Sequence, residues 1–367
     1  MRGTYAEVDL GKLKYNISVL RKYINHKEVL AIVKANGYGH GIVEISKAFR
    51  RENVKFLGVA FPEEGIAIRQ SGDTEPIVVL VPSLPEEAED ICRYDLQPLA
   101  SSMDVMEVLS GEAVKQNKNI KVHLMIGTGM NREGVQPWDA VEFMKNVSRL
   151  PNLEMIGVCT HFATSTSDYK FVKRQLDLFN DTLEKLNSAG YTFQYTHASN
   201  SGAVINFPES HFNLVRPGLM LYGYPPNKSL YENLYLKPVL TLKSKVAFTR
   251  SIKKGESVSY ERLFIADKPT NIVTIPIGYG DGYFKSLTGR AQCLIKGKRY
   301  DIVGAICMDE LMADIGDDDI NIGDEVVLIG EQGNEIISAY EIAERAGTII
   351  WEVLTSISAR VPRIFIE

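Results

Sequence analysis

Short apolar runs alternate with helical patterns through the first 220 residues, and this alternation limits the possible folds more than any other feature. Helical patterns separate nearly all of eight strand-length runs, at residues 29–33, 56–60, 77–81, 96–99, 121–126, 153–160, 193–196 and 213–216. Eight strands alternating with helices predict an α/β fold of the (β/α)8 TIM type. A doubly wound sheet is the competing architecture, but no Gly-x-Gly-x-x-Gly pattern follows the first strand.

The pattern changes after about residue 235. Short β-rich runs recur at 239–248, 271–277, 292–295, 302–306, 326–329 and 357–366, with Gly and Asp turns between them. Only one clear helical pattern remains, near residues 339–346. We therefore predict a barrel domain over residues 1–235 and a mostly β domain over residues 236–367, joined within the segment 224–237.

Composition narrows the classes of partner and location. The 367 residues include 41 basic and 46 acidic side chains, a formal net charge of −5, and 45% of them are hydrophobic. We therefore expect a folded protein with no affinity for nucleic acid or membrane. No run reaches the ~18 apolar residues of a membrane span, and the first residues lack the apolar core of a secretory signal. The four cysteines are far apart and have no paired histidines, so we expect a reducing cytoplasm and no metal site.

Reactive side chains fall where the predicted barrel strands end. Lys34 closes the first strand, His161 ends the sixth and Arg216 ends the eighth, while Arg132 lies just past the fifth. Asn200 and Ser201 follow the seventh strand. Catalytic residues of such barrels lie at the carboxyl ends of the strands. The positions therefore predict one active site at one end of the barrel.

Lys34 is the strongest chemical candidate in this group. Burying an ammonium is costly, and burial lowers the pKa of the amine and makes it a nucleophile toward aldehydes. The alternative is a lysine that merely extends its charge to solvent from the strand end. Barrels often bind phosphate in the loops after strands seven and eight, here residues 198–202 and 216–219. An aldehyde-binding amine and a phosphate loop together suggest pyridoxal phosphate (PLP), although Ser201 taken alone is more typical of a helix N-cap.

The segment Ala31-Ile-Val-Lys-Ala-Asn-Gly-Tyr-Gly-His-Gly41 resembles the PLP-lysine signature of alanine racemases. Other segments resemble the same family along nearly the whole chain: Glu7–Leu10, Glu63–Gly65, Thr128–Met130, Thr160–Ala163, Arg216–Gly218, Ser259–Tyr260, Gly278–Tyr279, Asp281–Gly282, Cys307–Asp309 and Arg360–Arg363. The resemblance implies a PLP-binding barrel followed by a β domain, working as a homodimer with shared active sites.

The resemblance also implies roles for single residues. Lys34 would hold PLP and act as acid and base on one face of the substrate Cα, with the partner subunit's Tyr260 acting on the other face. Arg216 would face the pyridine nitrogen of PLP, and His161 would join Arg216 to Tyr260. The remaining cofactor contacts would come from Tyr38, Arg132, Asn200, Ser201, Gly218, Leu219 and the position of Trp351. The substrate would meet Arg132, Tyr279, Cys307 and Met308.

The chain departs from the family pattern at two places. The family commonly reads Lys-x-Asp-Thr-Gly-Met-Gly-Arg, with a carbamylated lysine that orients the arginine, whereas this chain has Met125, Gly127 and Asn131 before Arg132. We therefore expect a bound anion or an ordered water beside Arg132. Trp351 replaces a tyrosine that usually contacts the PLP phosphate and borders the substrate pocket, which puts the preferred substrate in question. Alanine is the first expectation, and serine or another small amino acid the second.

Other functions stay open at this stage. A PLP-binding protein without turnover is the alternative outside the enzymes, but related barrels of that kind lack a C-terminal β domain and a residue like Tyr260. A decarboxylase or aldolase on the same barrel is less consistent with the segments around Tyr260 and Met308. A metal hydrolase would need a His/Asp cluster that the six histidines do not form. The sequence does not distinguish D-alanine made as a peptidoglycan precursor from D-alanine consumed in catabolism.

Overall fold

The computed structural model describes residues 3–227 and 234–367 and forms two compact units. One unit comprises residues 13–37, 42–227 and 234–237, and the other comprises residues 3–12, 38–41 and 238–367. Residues 228–233 of the predicted joint lie outside the described residues.

The larger unit is the predicted barrel. After β1 (Tyr5–Asp9), the next eight strands form one parallel sheet in the order β8-β7-β6-β5-β4-β3-β2-β9. They are β2 (Glu28–Ile32), β3 (Phe56–Val59), β4 (Ile77–Val79), β5 (Gln97–Ala100), β6 (Ile120–Met125), β7 (Leu153–Cys159), β8 (Tyr195–His197) and β9 (Leu214–Val215). A bridge between Asn200 and Arg216 links the two ends of the sheet, so the barrel is nearly closed. All eight predicted strands are confirmed.

Helices follow the strands at the predicted places. They are Leu10–Ile24, Ile42–Arg51, Pro62–Gln70, Ala88–Arg93, Met103–Lys115, Ala140–Val147, Tyr169–Ser188 and Ser201–Asn206, with short 3-10 turns at Pro85–Glu87, Pro208–Ser210 and Leu219–Tyr222. Strands such as β3, β4 and β5 are buried at every position, because helices cover one face and barrel side chains fill the other. None of the described helices is long and apolar enough to cross a membrane.

The second unit is mostly β. Its strands are β10 (Leu240–Lys245), β11 (Phe248–Ile252), β12 (Ser257–Val258), β13 (Phe264–Ile265), β14 (Thr270–Ile275), β15 (Gln292–Ile295), β16 (Lys298–Val303), β17 (Leu311–Gly316), β18 (Glu325–Gln332), β19 (Glu335–Ile337) and β20 (Arg363–Ile366). The predicted helix is confirmed at Ala339–Ala346, and a second helix, Ile350–Ser356, follows it. Short 3-10 turns occur at Tyr260–Arg262, Tyr279–Asp281 and Lys285–Leu287.

The first strand differs from the prediction that residues 1–235 form the barrel. β1 lies in the large sheet of the second unit, where it pairs antiparallel with β10 and parallel with β20. Both edges of β1 are hydrogen-bonded in this way, which gives residues 3–12 more partners there than a barrel edge would offer. The predicted boundary between the two domains, at residues 235 and 236, stays a prediction.

Candidate active site

Lys34 lies directly after β2, at the start of a left-handed turn. Residues 35, 36 and 37 have φ values of 53°, 55° and 62°, in the left-handed region that glycine adopts without strain and asparagine tolerates. The Glu64 carboxylate stabilises this turn, since it accepts hydrogen bonds from the backbone N–H of Ala35 at 2.6 Å and of Ala60 at 2.7 Å. The turn fixes the direction in which the lysine leaves the strand. Sequence reasoning missed Glu64 as a positioning residue, although it lies in a segment that resembles the family.

The amine of Lys34 has a lowered pKa. Desolvation is the largest cause, and the positive charge of Arg132 adds to it, while Glu64 and Glu133 act in the opposite direction. A larger share of the amine is therefore uncharged and nucleophilic at neutral pH than for a lysine in water. This observation favours the reactive interpretation of Lys34 over a lysine that only extends to solvent.

Arg216 is buried at the end of β9, and both terminal nitrogens of its guanidinium donate hydrogen bonds. One terminal nitrogen donates to His197 Nδ1 and to the His197 carbonyl, both at 2.7 Å. The other donates to the carbonyls of Thr160 at 2.6 Å and Ala198 at 3.2 Å, and to His161 Nδ1 at 3.2 Å. All five acceptors are neutral. None of these five contacts is to a carboxylate, so the guanidinium is held in one orientation without a direct ion pair among the described residues.

These contacts determine the proton positions of three histidines. An arginine only donates, so His197 Nδ1 and His161 Nδ1 must both be acceptors. His197 Nε2 then carries its proton and donates to His123 Nδ1 at 2.9 Å, and His123 Nε2 donates to Gln97 Oε1 at 3.2 Å. The remaining nitrogen of His161 is a donor as well. Sequence reasoning missed His197 and His123, although His197 satisfies the same strand-end criterion as Lys34.

Burial keeps these rings neutral. It lowers the pKa of His161 and of His123 to about 3, and the positive charge of Arg216 adds to the effect in both. The pKa of His197 is lowered for the same two reasons. Lys34 and Arg132 also act on His161 electrostatically. The structure therefore brings Lys34, Arg132, His161 and Arg216 together at one end of the barrel, as predicted.

Arg132 lies in a loop that begins after β6 and is closed by a bridge between Ile126 and Val135. Its side chain is 54% exposed, and the next residue supplies its counter-charge. Glu133 Oε1 accepts from Arg132 Nη2 at 2.9 Å and from Nε at 3.2 Å. The expected anion or ordered water is therefore not required to balance the charge. The sequence analysis did not identify Glu133 as a site residue. Two adjacent charged residues, Arg132 and Glu133, do not indicate which of the side chains is buried.

The predicted phosphate loops meet at the same end of the barrel. Ser201 Oγ accepts from the backbone N–H of Gly218 at 2.9 Å, which joins the loop after β8 to the loop after β9. Asn200, and not Ser201, caps the helix Ser201–Asn206, since its Oδ1 accepts from the N–H of Ala203 at 3.1 Å. The N-cap interpretation of Ser201 is therefore wrong. Leu219 begins the next 3-10 turn and is buried.

Tyr38 and Trp351 belong to the second unit. Tyr38 is buried, and its burial raises the pKa of its hydroxyl. Gly39 beside it has a φ of +83°, and a Cβ there would meet the Leu354 carbonyl at 2.1 Å. Close packing of the chain explains this glycine without any bound group. Trp351 is half-buried on the helix Ile350–Ser356, and its contact with a phosphate stays a prediction.

The other predicted substrate residues also lie in the second unit, close to one another. Ser259 donates to the Ala305 carbonyl at 2.7 Å and lies 3.4 Å from the sulfur of Cys307. The Cys307 carbonyl accepts from the N–H of Tyr279 at 3.0 Å. The side chains of Tyr260, Tyr279 and Met308 are 71%, 41% and 53% exposed. The surface of this unit therefore presents two aromatic rings and a thioether to solvent.

Comparison with known proteins gives a consistent result over the full length. The family model described as alanine racemase, N-terminal domain, matches residues 8–226, and the C-terminal domain model matches residues 239–365. The alanine racemase of Carboxydothermus hydrogenoformans is 41% identical over 369 residues, which cover 100% of both chains.

Solved structures agree with this result. The alanine racemase of Clostridium difficile 630 has a TM-score of 0.95 at 34% identity and covers 100% of this chain and 96% of its own. The alanine racemase from Bacillus anthracis with bound L-Ala-P has a TM-score of 0.95 at 35% identity, with the same coverage. Matched by both domain models and by relatives along its whole length, the chain belongs to the alanine racemase family.

Proposed function

We propose that this chain is a PLP-dependent isomerase that interconverts L- and D-alanine with two bases, Lys34 and the partner subunit's Tyr260. Membership in the alanine racemase family supports the reaction, since the curated relatives carry that name. The observation that carries the proposal is the half-buried amine of Lys34, whose pKa is lowered by desolvation and by Arg132. The amine lies at the end of the barrel where chemistry takes place in this architecture.

The residues present fit PLP. Lys34 offers an amine for the aldehyde, and the contact between Ser201 Oγ and the Gly218 N–H brings a hydroxyl and an open loop together for the phosphate. Asn200 holds that loop in place, and the backbone of Leu219 and the Tyr38 hydroxyl complete the proposed phosphate contacts. When bound, PLP supplies an electron sink for the pair left on the substrate Cα.

Racemisation needs a proton taken from one face of Cα and another returned to the opposite face. Lys34 Nζ serves one face, because its lowered pKa lets it accept and return a proton near neutral pH. The Tyr260 hydroxyl serves the other face. Its side chain is 71% exposed in the single chain, so it is available to a neighbouring subunit. We place Met308, Cys307 and Tyr279 with it around the substrate.

Arg216 and His161 set the protonation of this site. The Nδ1 of His161 accepts from Arg216, so its Nε2 carries a proton that can be donated to the partner's Tyr260 and stabilise the phenolate. Arg216 is permanently charged and can only donate hydrogen bonds, so it would keep the pyridine nitrogen of bound PLP unprotonated. Arg132 would contact the phenolic oxygen of PLP.

A homodimer in the cytoplasm is part of the proposal. Tyr260 lies in a short ribbon of β12 and β13, where Leu263 and Ile265 are also 61% and 55% exposed. A cluster of exposed apolar side chains is typical of a subunit interface. All four cysteines are free, which fits a reducing compartment.

Alanine is the proposed substrate over serine. Of the four positions at which this chain departs from the family pattern, Met125 and Trp351 are the two that bear on the substrate preference. Met125 is buried, and its sulfur lies 3.5 Å from that of Cys159, so it fills apolar space and adds no polar group to the site. The match of the C-terminal domain model over residues 239–365 also argues against a PLP-binding protein without turnover.

Incubation of the PLP-loaded protein in heavy water tests the proposal. L-alanine, L-serine and several larger L-amino acids are supplied, and loss of the α-proton signal is followed together with the chirality of the product. We expect deuterated, racemised alanine. Racemisation of another amino acid in preference would overturn the substrate, and no exchange with any of them would overturn the reaction.

Tyr260→Phe tests the second base. The variant retains the ring but cannot accept a proton, so racemisation should be lost in both directions while PLP stays bound. The matched control is Tyr235→Phe, since Tyr235 is 79% exposed and lies outside the proposed site. Near-normal racemisation by Tyr260→Phe would exclude the two-base scheme.

A further inference from the structure

Glu133 is a carboxylate turned into the barrel end, beside residues that the proposed function already uses. Its side chain is only 3% exposed, while that of the neighbouring Arg132 is 54% exposed. Charged side chains are rarely buried to this degree unless they are paired. Glu133 pairs through Oε1 with two nitrogens of Arg132, at 2.9 Å and 3.2 Å.

The loop itself accounts for this arrangement. Asn131 has a φ of +54°, in the left-handed region that asparagine tolerates, and Gly134 has a φ of +105°. A Cβ on Gly134 would come within 2.8 Å of the backbone nitrogen of Gly127. These two residues bend the chain on either side of the Arg-Glu pair. The bend turns Glu133 inward while Arg132 reaches outward.

The charges around Glu133 are positive. Its carboxylate acts electrostatically on Lys34 and on Arg216, and it lines one small pocket with Gly127, Arg132 and His161. Glu133 Oε2 is buried and has no hydrogen-bond partner among the described residues. Met125 in the same pocket supplies no charge. Glu133 therefore adds a buried negative charge beside these cations, together with Glu64, whose carboxylate also acts on Lys34.

We propose that Glu133 replaces the carbamylated lysine of the family as the fixed negative charge that orients Arg132. It is a positioning residue, because it acts through Arg132 and touches neither cofactor nor substrate. The inference rests on the proposed function, in which Arg132 contacts the phenolic oxygen of PLP. It follows that the site in this chain is complete without a carbamate and without an added anion.

Two substitutions separate the charge of Glu133 from its shape. Glu133→Ala removes both and leaves a space, while Glu133→Gln keeps the shape and removes the charge. Glu142→Ala is the matched control, since Glu142 also pairs with a neighbouring cation, Lys145, at 3.3 Å but is 64% exposed. Each variant is compared with the unmodified chain with and without sodium formate, a small carboxylate that fits the space left by Glu133→Ala.

Two measurements are made on each protein. The first is kcat/KM for L-alanine in the PLP-loaded enzyme as a function of pH. The second is the pKa of Lys34 in the apoprotein, from the pH dependence of its modification by an amine-reactive reagent, with the modified lysine identified by peptide mapping. The second readout needs neither bound PLP nor turnover. It therefore tests the placement of Glu133 even if the proposed reaction fails.

We expect both Glu133 variants to lose about tenfold in kcat/KM, because the half-exposed Arg132 loses the buried carboxylate that holds its orientation. The pKa of Lys34 should fall further in both, because one of the two carboxylates that raise it is gone while Glu64 remains. Formate should restore both quantities in Glu133→Ala but not in Glu133→Gln, where the amide fills the space. The control should match the unmodified chain.

Two results would overturn the proposal. Unchanged kcat/KM and an unchanged Lys34 pKa in Glu133→Gln would mean that the carboxylate charge is not used. Stimulation of the unmodified chain by formate would mean that an external anion, and not Glu133, balances Arg132. If the unmodified chain fails to racemise alanine, the proposed function fails, while the Lys34 titration still decides the role of Glu133.

Discussion

The contacts of Arg216 require the shape of a guanidinium as well as its positive charge. Its five contacts go to three carbonyls and two imidazoles, and a guanidinium satisfies them with two nitrogens of fixed direction. Lysine in Arg216→Lys has three donors on one atom and cannot reach all five acceptors. We expect a loss of about 2–4 kcal/mol in the free energy of unfolding, measured in urea. Arg149→Lys, on an exposed residue, should stay within about 0.5 kcal/mol of the unmodified chain.

The buried histidines predict how stability depends on pH. Desolvation and Arg216 lower the pKa of His123 from 6.5 to about 3, so between these values the unfolded chain binds a proton that the folded chain does not. Stability therefore falls as pH drops from 6.5 toward 3. His123→Gln should reduce the slope of the unfolding free energy by up to about 1.4 kcal/mol per pH unit. The exposed His26 provides the control, and an equal slope in His123→Gln and His26→Gln would contradict the burial argument.

At the scale of elements, the strand ends were predictable and the loop conformations were not. The apolar runs alone were enough to place Lys34, His161 and Arg216 at strand ends. A buried parallel strand needs a continuous apolar run, and the polar residue at its end marks where the strand stops. Glu133 was missed because its inward direction depends on the backbone at Asn131 and Gly134. The helix that carries Trp351 was missed as well, since it has only seven residues and too few turns to show a period.

The loop that carries Arg132 gives a prediction for an element. Gly134→Ala places a Cβ within 2.8 Å of the backbone of Gly127 and forces alanine to a φ of +105°. We expect a loss of about 1–3 kcal/mol in stability, as for strained backbone, together with a lower kcat/KM because Arg132 moves. Gly111→Ala is the matched control in the helix Met103–Lys115, where nothing lies within 4 Å of the new methyl. That variant should be unchanged or more stable by up to about 1 kcal/mol, measured by urea unfolding.

For the whole molecule, the alternation of strands and helices predicted the barrel. It did not predict that residues near the N-terminus would belong to the second unit. β1 precedes the barrel in sequence and yet pairs with β10 and β20 in the other sheet. No strand was predicted over Tyr5–Asp9, because Glu7 and Asp9 interrupt its apolar residues, so its pairing was not predicted either. The two proposed bases are divided in the same way, with Lys34 in the barrel unit and Tyr260 in the β unit.

Mixing two inactive chains tests whether these bases meet within one chain or between subunits. Lys34→Ala and Tyr260→Phe each lack one base, and neither homodimer should racemise alanine. If the sites are shared, a hybrid dimer joins the intact Lys34 of one chain to the intact Tyr260 of the other in one of its two sites. Random exchange makes half of the dimers hybrid, so we expect about a quarter of the normal activity after unfolding and refolding the mixture. If both bases came from the same chain, every site in the mixture would lack one, and no activity would return.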